Sequence, residues 1–288
     1  MLLATFLGQA VSVVILGTGT PNPDPERSGP AVAVIVGQTA YLVDAGAGVM
    51  RRAAAAADRY RLDGLKAERI GMVFLTHLHS DHTVGLPDVI HTGWVAERAL
   101  PLQLYGPRGT RDMADHLTRA WSEDIRVRTE GDQPHTRDGW RVEARDIQPG
   151  VVYRDSNVTV TAIAVPHSNW DQAYAYRFEA RGAVVVISGD TRPSDAVAEA
   201  CNGCDVLVHE VYSLERWKTR PADWQRYHAG SHTSTQELAA LARRARPKLL
   251  VLYHQLYWGA TDDDLVREIR QADYTGPVIS ASDLLRVP

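Results

Sequence analysis

The 288-residue sequence contains no long hydrophobic run and no low-complexity segment. No stretch approaches the roughly 20 apolar residues that a membrane-spanning helix needs, so we expect no membrane partner. No linker divides the chain, and strand and helix signals alternate throughout, which predicts one α/β domain over residues 1–288. The apolar start, Met1 to Ala10, lacks a basic segment and therefore does not make a complete signal peptide. A cytoplasmic protein is favoured, while a secreted form with a processed signal stays open.

The sequence also has no large excess of charge of one sign and very little cysteine. The formal net charge is -4, from 31 basic and 35 acidic residues, so nothing draws the whole chain towards nucleic acid, although a local basic patch can still exist. The only cysteines, Cys201 and Cys204, form Cys-x-x-Cys at the end of a predicted helix. Because a thioredoxin-type context is missing and one pair makes no disulfide framework, we interpret them as two small residues at a helix end.

Histidine and aspartate are concentrated in one short stretch, from Thr76 to His82, which reads Thr-His-Leu-His-Ser-Asp-His. It follows the apolar run Met72 to Leu75, which has the length and the residue types of a buried strand. Alternate residues of an extended segment point the same way, so His77 and His79 can bind one metal ion. Asp81 and His82 come after the chain turns and can reach a second ion. The stretch therefore predicts a metal site at the end of a strand.

Three further metal-binding residue types stand where apolar runs end in the second half of the chain. They are His167 after 158–165, Asp190 after 183–187 and His254 after 249–252. Chance would place one residue in this way, but not all three. A fourth strand ends at Asp44, beside glycines, where a carboxylate either caps a turn or orients a metal-binding histidine.

These residues divide into two sets around two divalent ions. We assign His77, His79 and His167 to one ion, and Asp81, His82 and His254 to the other. Asp190 would bridge the two. Neutral imidazole and carboxylate favour zinc, with manganese, iron and cobalt as weaker alternatives. Two cations about 3.5 to 4 Å apart can share a hydroxide, which would be the nucleophile, and can neutralise charge on a P=O or S=O oxygen.

The sequence resembles the metallo-β-lactamase superfamily over essentially its whole length. The residues that carry the resemblance occur in family order: Leu16-Gly17-Thr18-Gly19-Thr20-Pro21, Asp44, the motif from His77 to His82, His167, Asp190 and His254. The resemblance implies the same ligand assignment, an orienting role for Asp44, and a four-layer αβ/βα sandwich. From strand and helix patterns alone, only a generic α/β class would follow.

Within this superfamily, the sequence is similar to the branch of transfer-RNA 3′ processing ribonuclease Z and its arylsulfatase-like relatives. His209-Glu210 after a predicted strand and Ser231-His232-Thr233-Ser234 before a helix match the branch's His-Glu and His-[Ser/Thr] motifs. The longer ribonuclease pattern is not kept after Glu210. The resemblance implies that Glu210 orients His232 and that His232 is the acid that protonates the leaving group. A carboxylate beside an imidazole favours the charged imidazolium. Ser234 and Glu237 also make a helix capping box, so part of this motif has a structural explanation.

Two features favour a small substrate over transfer RNA. Bacterial-type members of the ribonuclease branch carry a long arm between the positions matching His167 and Asp190, whereas here that interval holds only a predicted strand pair. A ribonuclease also needs a basic groove. The candidates are Arg216, Lys218 and Arg220, and a set at a helix end, where cations are expected for dipole reasons alone. That set is Arg243, Arg244, Arg246 and Lys248.

Aromatic residues near the predicted ligands have two interpretations. They are ordinary core residues, or at least two of them form an apolar wall for an aryl leaving group. The four are Trp94, Trp170, Tyr257 and Trp258. The polar segment 123–138 is expected to be a surface loop, with a lid over the site as the alternative.

Our sequence-based hypothesis is a dinuclear metal-dependent hydrolase of small anionic esters, arylsulfatase-like or a phosphodiesterase, for which nucleic acid is a disfavoured partner. Its catalytic residues would be Asp81, Glu210 and His232. The first alternative is a transfer-RNA 3′ processing endonuclease, followed by a carboxylic ester or lactone hydrolase. A metal-bound sensor without turnover would have no need of a leaving-group acid. The resemblance also implies a homodimer as the expected assembly.

Overall fold

The computed structural model describes residues 11–288, so the predicted apolar start lies outside the described residues. Two seven-stranded sheets form its centre. The strands of these residues, numbered along the chain, are β1 (Val11–Gly17), β2 (Ala31–Val36), β3 (Thr39–Val43), β4 (Met72–Phe74), β5 (Leu102–Gly106), β6 (Val142–Asp146), β7 (Gly150–Arg154), β8 (Thr159–Ala164), β9 (Tyr174–Ala180), β10 (Ala183–Ile187), β11 (Val206–Tyr212), β12 (Leu249–Leu256), β13 (Val278–Ser280) and β14 (Leu285–Val287).

The first sheet has the order β14-β1-β2-β3-β4-β5-β6, and the second has the order β13-β12-β11-β10-β9-β8-β7. Each sheet contains a run of parallel strands, β3 to β6 in the first and β10 to β13 in the second. The carboxyl ends of parallel strands lie at the same edge of a sheet, and ligands bind at that edge in α/β sheets. The polar motifs of the sequence lie at or near the ends of β3, β4, β10, β11 and β12, so the topology places them at these edges.

Ten α-helices connect the strands of residues 11–288. They are α1 (Val49–Tyr60), α2 (Ser80–Thr83), α3 (Leu86–Val95), α4 (Thr110–Ala120), α5 (Ser122–Glu130), α6 (Asp195–Cys201), α7 (Leu214–Trp217), α8 (Ala222–Ser231), α9 (Thr235–Ala245) and α10 (Asp262–Gln271), with 3₁₀ turns at Asp63–Leu65 and Ala67–Arg69. Among the described residues, no helix combines the length and the apolarity that crossing a membrane requires.

Three apolar clusters separate the layers of the fold. The central cluster joins the facing sides of the two sheets, with Phe74 from the first sheet and Tyr176 from the second. The second cluster packs the outer face of the first sheet against α1 and α3. The third packs the outer face of the second sheet against α6, α9 and α10. Helix, sheet, sheet and helix thus stack in the order αβ/βα, and the predicted four-layer sandwich is confirmed.

Two local predictions were wrong. The segment expected as a surface loop or lid contains α5, because Arg126 pairs with Glu123 and Glu130 along the helix, and such pairs support helical conformation. The two cysteines are not separate small residues: Cys201 and Cys204 are joined in a disulfide at the end of α6, where both are buried. One predicted element is confirmed, since the interval between His167 and Asp190 holds only the hairpin β9–β10.

Candidate metal centre

The centre lies where the carboxyl ends of the parallel strands of both sheets meet. The segment after β4 carries His77 and His79, and α2 begins directly after His79, so the next two polar residues follow a turn as predicted. The backbone N–H of Tyr174, from the second sheet, donates to the carbonyl of Thr76 at 2.8 Å and fixes the two sheets together at this point. The loops that carry metal-binding residue types are therefore held by backbone hydrogen bonds.

The turn that carries Asp190 depends on a glycine. Gly189 has φ 59°, and a Cβ atom there would lie 2.8 Å from the Cβ of Thr76 and 2.8 Å from the carbonyl oxygen of Tyr174. Only glycine allows both the left-handed conformation and this close approach. The glycine thus lets Asp190 reach between the histidines of the two halves.

The second half does not supply all its ligands from strand ends. Strand β12 continues past His254 to Leu256, but Glu210 pairs with Tyr253 and Val211 pairs with Gln255, so His254 is the extra residue of a β-bulge. Its φ is 46°. Bulges re-aim side chains next to functional sites. The bulge turns the His254 imidazole towards Asp81, whose Oδ2 lies 3.2 Å from His254 Nε2.

The structure brings all seven predicted ligands together in two groups. In the first, one ligand atom from each residue lies within 4.8 Å of all the others, and the members are His77, His79, His167 and Asp190. His79 Nδ1 lies 2.9 Å from His77 Nε2 and 3.2 Å from His167 Nε2. Uncharged donors at such distances from one another leave space for a cation between them.

The second group consists of Asp81, His82 and His254. Asp190 lies between the two groups, since its Oδ1 is 3.4 Å from His82 Nε2 and its Oδ2 is 3.6 Å from His254 Nε2 and 3.9 Å from His77 Nε2. His82 Nε2 and Asp190 Oδ1 are buried without a hydrogen-bond partner. Buried polar atoms left unpaired are costly, and a bound cation would satisfy them. The donor set therefore fits two divalent metal ions.

Asp44 orients the histidines of the first half. It is 1% exposed, its Oδ2 accepts from His82 Nδ1 at 2.7 Å, and its Oδ1 accepts from the backbone N–H of Thr76 at 2.8 Å. The Thr76 hydroxyl lies 2.9 Å from Asp44 Oδ2 and 3.0 Å from His77 Nδ1. A proton held on Nδ1 leaves the Nε2 lone pair free for a metal. The geometry thus has Asp44 as an orienting group and not only as a turn cap.

His167 and His79 face the first group through different ring nitrogens. His167 Nδ1 donates to the carbonyl oxygen of Ser231 at 2.7 Å, which leaves Nε2 free. His79 faces the first group through Nδ1, while Trp170 Nε1 lies 2.9 Å from its Nε2. The indole N–H is a donor only, whereas a ring that gives its Nδ1 lone pair to a metal carries its proton on Nε2. Metal binding at His79 therefore requires Trp170 to turn away.

The histidines of the site differ in the direction in which their pKa is shifted. Burial lowers the pKa of His77 far below its usual value and the pKa of His79 to about 4, so these rings are neutral at pH 7. Burial acts in the same direction on His82, but the carboxylates of Asp190 and Asp44 outweigh it and raise the pKa of His82. For Asp190, burial opposes ionisation, yet the surrounding imidazoles hold its pKa well below the usual range. An ionised carboxylate thus lies at the centre of the site.

Glu210 and His232 lie beside the second group. Glu210 is fully buried, and its Oε1 accepts from the backbone N–H of Thr233 at 2.8 Å. Its Oε2 lies 3.4 Å from His232 Nδ1. The expected imidazolium is disfavoured in this environment, because burial lowers the pKa of His232 to about 4 and raises the pKa of Glu210. Burial of both groups outweighs the attraction that the sequence suggested, because the charged forms of both lose hydration.

A cleft of about 480 Å³ opens over the centre, and sequence reasoning identified only part of its wall. Trp258 lines the cleft and Trp170 contacts His79, but Trp94 is buried with its Nε1 bonded to Thr136, and the Tyr257 hydroxyl is bonded to Asp262. Arg220, considered from the sequence only as part of a basic groove, also lines the cleft, and the residues missed are Trp224, Tyr227 and His228 of α8. Their helical spacing, three or four residues apart, is the signal that could have grouped them on one face.

Comparisons with known proteins agree with the fold. Residues 39–255 match the family described as "Beta-lactamase superfamily domain". A protein named ribonuclease Z from Mycobacterium bovis is 34% identical over 281 residues, covering 96% of this chain and 98% of that protein. A metallo-beta-lactamase fold protein from Bacillus subtilis has a TM-score of 0.73 at 19% identity, covering 96% of this chain and 98% of that one. The short form of human tRNase Z has a TM-score of 0.71 at 23% identity, with the same coverage. At these identities, the two structures show the fold alone.

The fold and the paired groups of ligands define a metal-dependent hydrolase. The chain belongs to the beta-lactamase superfamily and, within it, to the family of the proteins named ribonuclease Z.

This membership corrects two predictions. The preference for arylsulfatase-like hydrolysis of small esters is wrong, because the relatives of similar length are named ribonuclease Z. For the same reason, the expectation that nucleic acid is not a partner is wrong. The net charge was a poor guide to nucleic-acid binding because it sums over the whole surface and does not show local groups of basic side chains. Of the basic side chains at the end of α9, Arg244 pairs with Asp195 and Lys248 with Asp205, whereas a cation in the cleft, Arg220, has no such partner among residues 11–288.

Proposed function

We propose that this protein is an endoribonuclease that cleaves a phosphodiester bond at the 3′ side of precursor transfer RNA. The observation that carries the proposal is the pair of ligand groups with Asp190 between them, in a chain that covers 98% of a relative named ribonuclease Z. A phosphodiester anion has two non-bridging oxygens, which suit a site with two adjacent cations.

The metal assignment is part of this proposal. His77, His79 and His167 would hold one ion, Asp81, His82 and His254 the other, and Asp190 would contact both. Imidazole and carboxylate donors favour zinc, and manganese is the alternative. When bound, two such ions supply an acidified water as nucleophile and neutralise charge on the phosphate oxygens.

The chain's own residues would control the proton that the reaction consumes at the leaving oxygen. His232 is 5% exposed and lines the cleft, and its Nδ1 is directed towards Glu210. Glu210 is in turn held by the N–H of Thr233, which fixes the orientation of the ring. A bound phosphate brings a negative charge next to His232, which favours the protonated ring that burial alone disfavours. His232 would then donate its proton to the departing ribose oxygen, and Asp81 would hold the geometry of the second group.

The test is a comparison of substrates on zinc-loaded and manganese-loaded protein. A precursor transfer RNA with a 3′ trailer, a bis-aryl phosphate, an aryl sulfate and an aryl carboxylate would be assayed side by side. We expect cleavage of the precursor at one position near the end of the acceptor stem. The variant Asp190→Ala serves as the inactive control, since it removes the group common to both ion positions. Turnover of an aryl sulfate or carboxylate with no cleavage of the RNA would refute the proposal.

A further inference from the structure

One wall of the cleft contains a cation and aromatic rings that the proposed catalytic steps do not use. One part of the lining consists of Asp81, Asp190 and His254, and another part, here called the second wall, comes from the segment between β11 and α9 together with Trp258. The side chains of the second wall are Arg220, Trp224, Tyr227, His228 and Trp258. The two parts share one cavity, so a substrate phosphate at the first part has its neighbouring nucleotide against the second wall.

Arg220 is the cation of this wall. Its guanidinium carbon lies 5.3 Å from the centre of the Trp258 ring and 5.8 Å from that of Trp224. No carboxylate of residues 11–288 lies within ion-pair distance of it, and its Nε is buried without a hydrogen-bond partner. Neighbouring cations differ, since Lys218 pairs with Glu215 and Arg226 pairs with Asp223. A guanidinium kept apart from carboxylates, in a cleft over a hydrolytic site, is suited to bind phosphate.

The aromatic rings form a chain of contacts that ends at a half-exposed indole. Trp258 contacts His228 at 4.5 Å between ring centres, and Trp224 lies nearly parallel to His228 at 5.6 Å. Trp224 is 49% exposed. A half-exposed indole beside a charged guanidinium has the chemistry of a platform for an unpaired base, because bases stack on aromatic side chains with little regard to sequence.

The wall is rigidly joined to the catalytic residues. Glu268 is buried and accepts from Ser213 Oγ at 2.6 Å, from the N–H of Leu214 at 2.8 Å and from Thr235 Oγ1 at 2.6 Å, so it holds both ends of the segment from α7 to α9. His228 also lies 5.5 Å from the ring of His232. The wall therefore stands on the side of the proposed leaving-group acid.

From these contacts we infer that Arg220, Trp224 and Trp258 form a nucleotide clamp. The clamp holds the unpaired nucleotide that supplies the leaving oxygen. Its base stacks on Trp224, and Arg220 binds the phosphate next to the one that is cleaved. Trp258 supports the guanidinium from the interior. This inference rests on the proposed function, and it adds a subsite that selects a single-stranded nucleotide at the cleavage point.

The test uses the metal-loaded, full-length protein and the variants Trp224→Ala and Arg220→Gln. Steady-state KM and kcat would be measured on precursor transfer RNA and on a small bis-aryl phosphate. Binding of a short phosphorothioate RNA, which resists cleavage, would be followed by tryptophan fluorescence. Matched controls are Trp121→Ala, an exposed indole between α4 and α5, and Arg244→Ala, at the far end of α9.

We expect each clamp variant to weaken RNA binding and to raise KM for the precursor by roughly 5- to 150-fold, the range for loss of one stacked base. The effect on the bis-aryl phosphate should be several-fold smaller, and the controls should match the wild type. If the wild type cleaves the precursor and both clamp variants bind RNA within twofold of it, the clamp is overturned and the proposed function stands. If the wild type cleaves no precursor, both are overturned.

Discussion

Replacing Asp44 by asparagine would test whether this residue sets the proton positions of the metal-binding rings. The substitution keeps the size of the side chain, but an amide offers one acceptor oxygen and one donor nitrogen in place of two acceptor oxygens. In the wild type, one oxygen accepts from His82 Nδ1 and the other from the backbone N–H of Thr76. The amide of the Asp44→Asn variant cannot satisfy both contacts.

One orientation of the amide opposes metal binding at His82, and the other destabilises the contact with Thr76. With its nitrogen towards His82, the amide donates to Nδ1 and moves the ring proton to Nε2, the atom that faces Asp81 and Asp190. With its nitrogen towards Thr76, two buried donors oppose each other, which costs about 1–3 kcal/mol. Loss of such an orienting partner typically lowers metal affinity about 10- to 100-fold. We therefore expect Asp44→Asn to lower the affinity for one of the two ions by that factor.

The assay is a zinc titration in competition with a chromophoric chelator, with metal content measured after dialysis at buffered free zinc. The wild type should retain two ions where Asp44→Asn retains one. Asp155→Asn is a matched control, because Asp155 accepts hydrogen bonds from Tyr41 and Tyr153 away from the centre. Retention of both ions by Asp44→Asn with wild-type affinity would refute the reasoning about the ring protons.

Three further outcomes follow from the geometry. His232→Ala should keep its metal content and lose rate by about 10²- to 10⁴-fold on poor leaving groups but much less on good ones; equal losses would remove His232 from the acid role. Zinc loading should change the tryptophan fluorescence as Trp170 turns from His79, and Trp170→Phe should lack that change; an identical change in the variant would contradict this. Burial raises the pKa of Asp155, but hydrogen bonds led by that from Tyr41 outweigh it, so the folded-state pKa is low. Asp155→Asn should therefore lower the unfolding midpoint at pH 7. The difference from the wild type should begin to shrink as the pH falls below about 4, the value for the unfolded chain, and should disappear only below the lower folded-state pKa; a difference independent of pH would count against an ionised Asp155.

The clustering of the histidines and aspartates could be predicted from the sequence because their signals are local. His77 and His79 alternate directly after a buried strand, and Asp190 follows the end of another, so residue type and position coincide. His254 was harder to place, because β12 continues to Leu256, beyond the apolar run 249–252. Its ring turns inward only because of a bulge. No composition or periodicity marks that bulge in advance.

The second wall of the cleft could not be predicted because it depends on tertiary contacts. Trp94 and Trp224 are both tryptophans on helices, yet Trp94 is 1% exposed and bonded to Thr136, whereas Trp224 is 49% exposed in the cleft. Nothing in their neighbouring residues separates the two. The same holds for charge, because a net value of -4 does not reveal that Arg220 lacks a carboxylate partner among residues 11–288 while Lys218 has one.

The left-handed backbone at His254 places stability and activity in conflict at one residue. An L-residue with φ 46° carries a conformational cost of about 1–2 kcal/mol that glycine would avoid. Glycine, however, would remove an imidazole from the second group of ligands. In the metal-free chain this strain is offset by the burial of the ring and its contact with Asp81, and a bound metal would stabilise the ring further. Stability screens on this protein should consequently be run with metal bound.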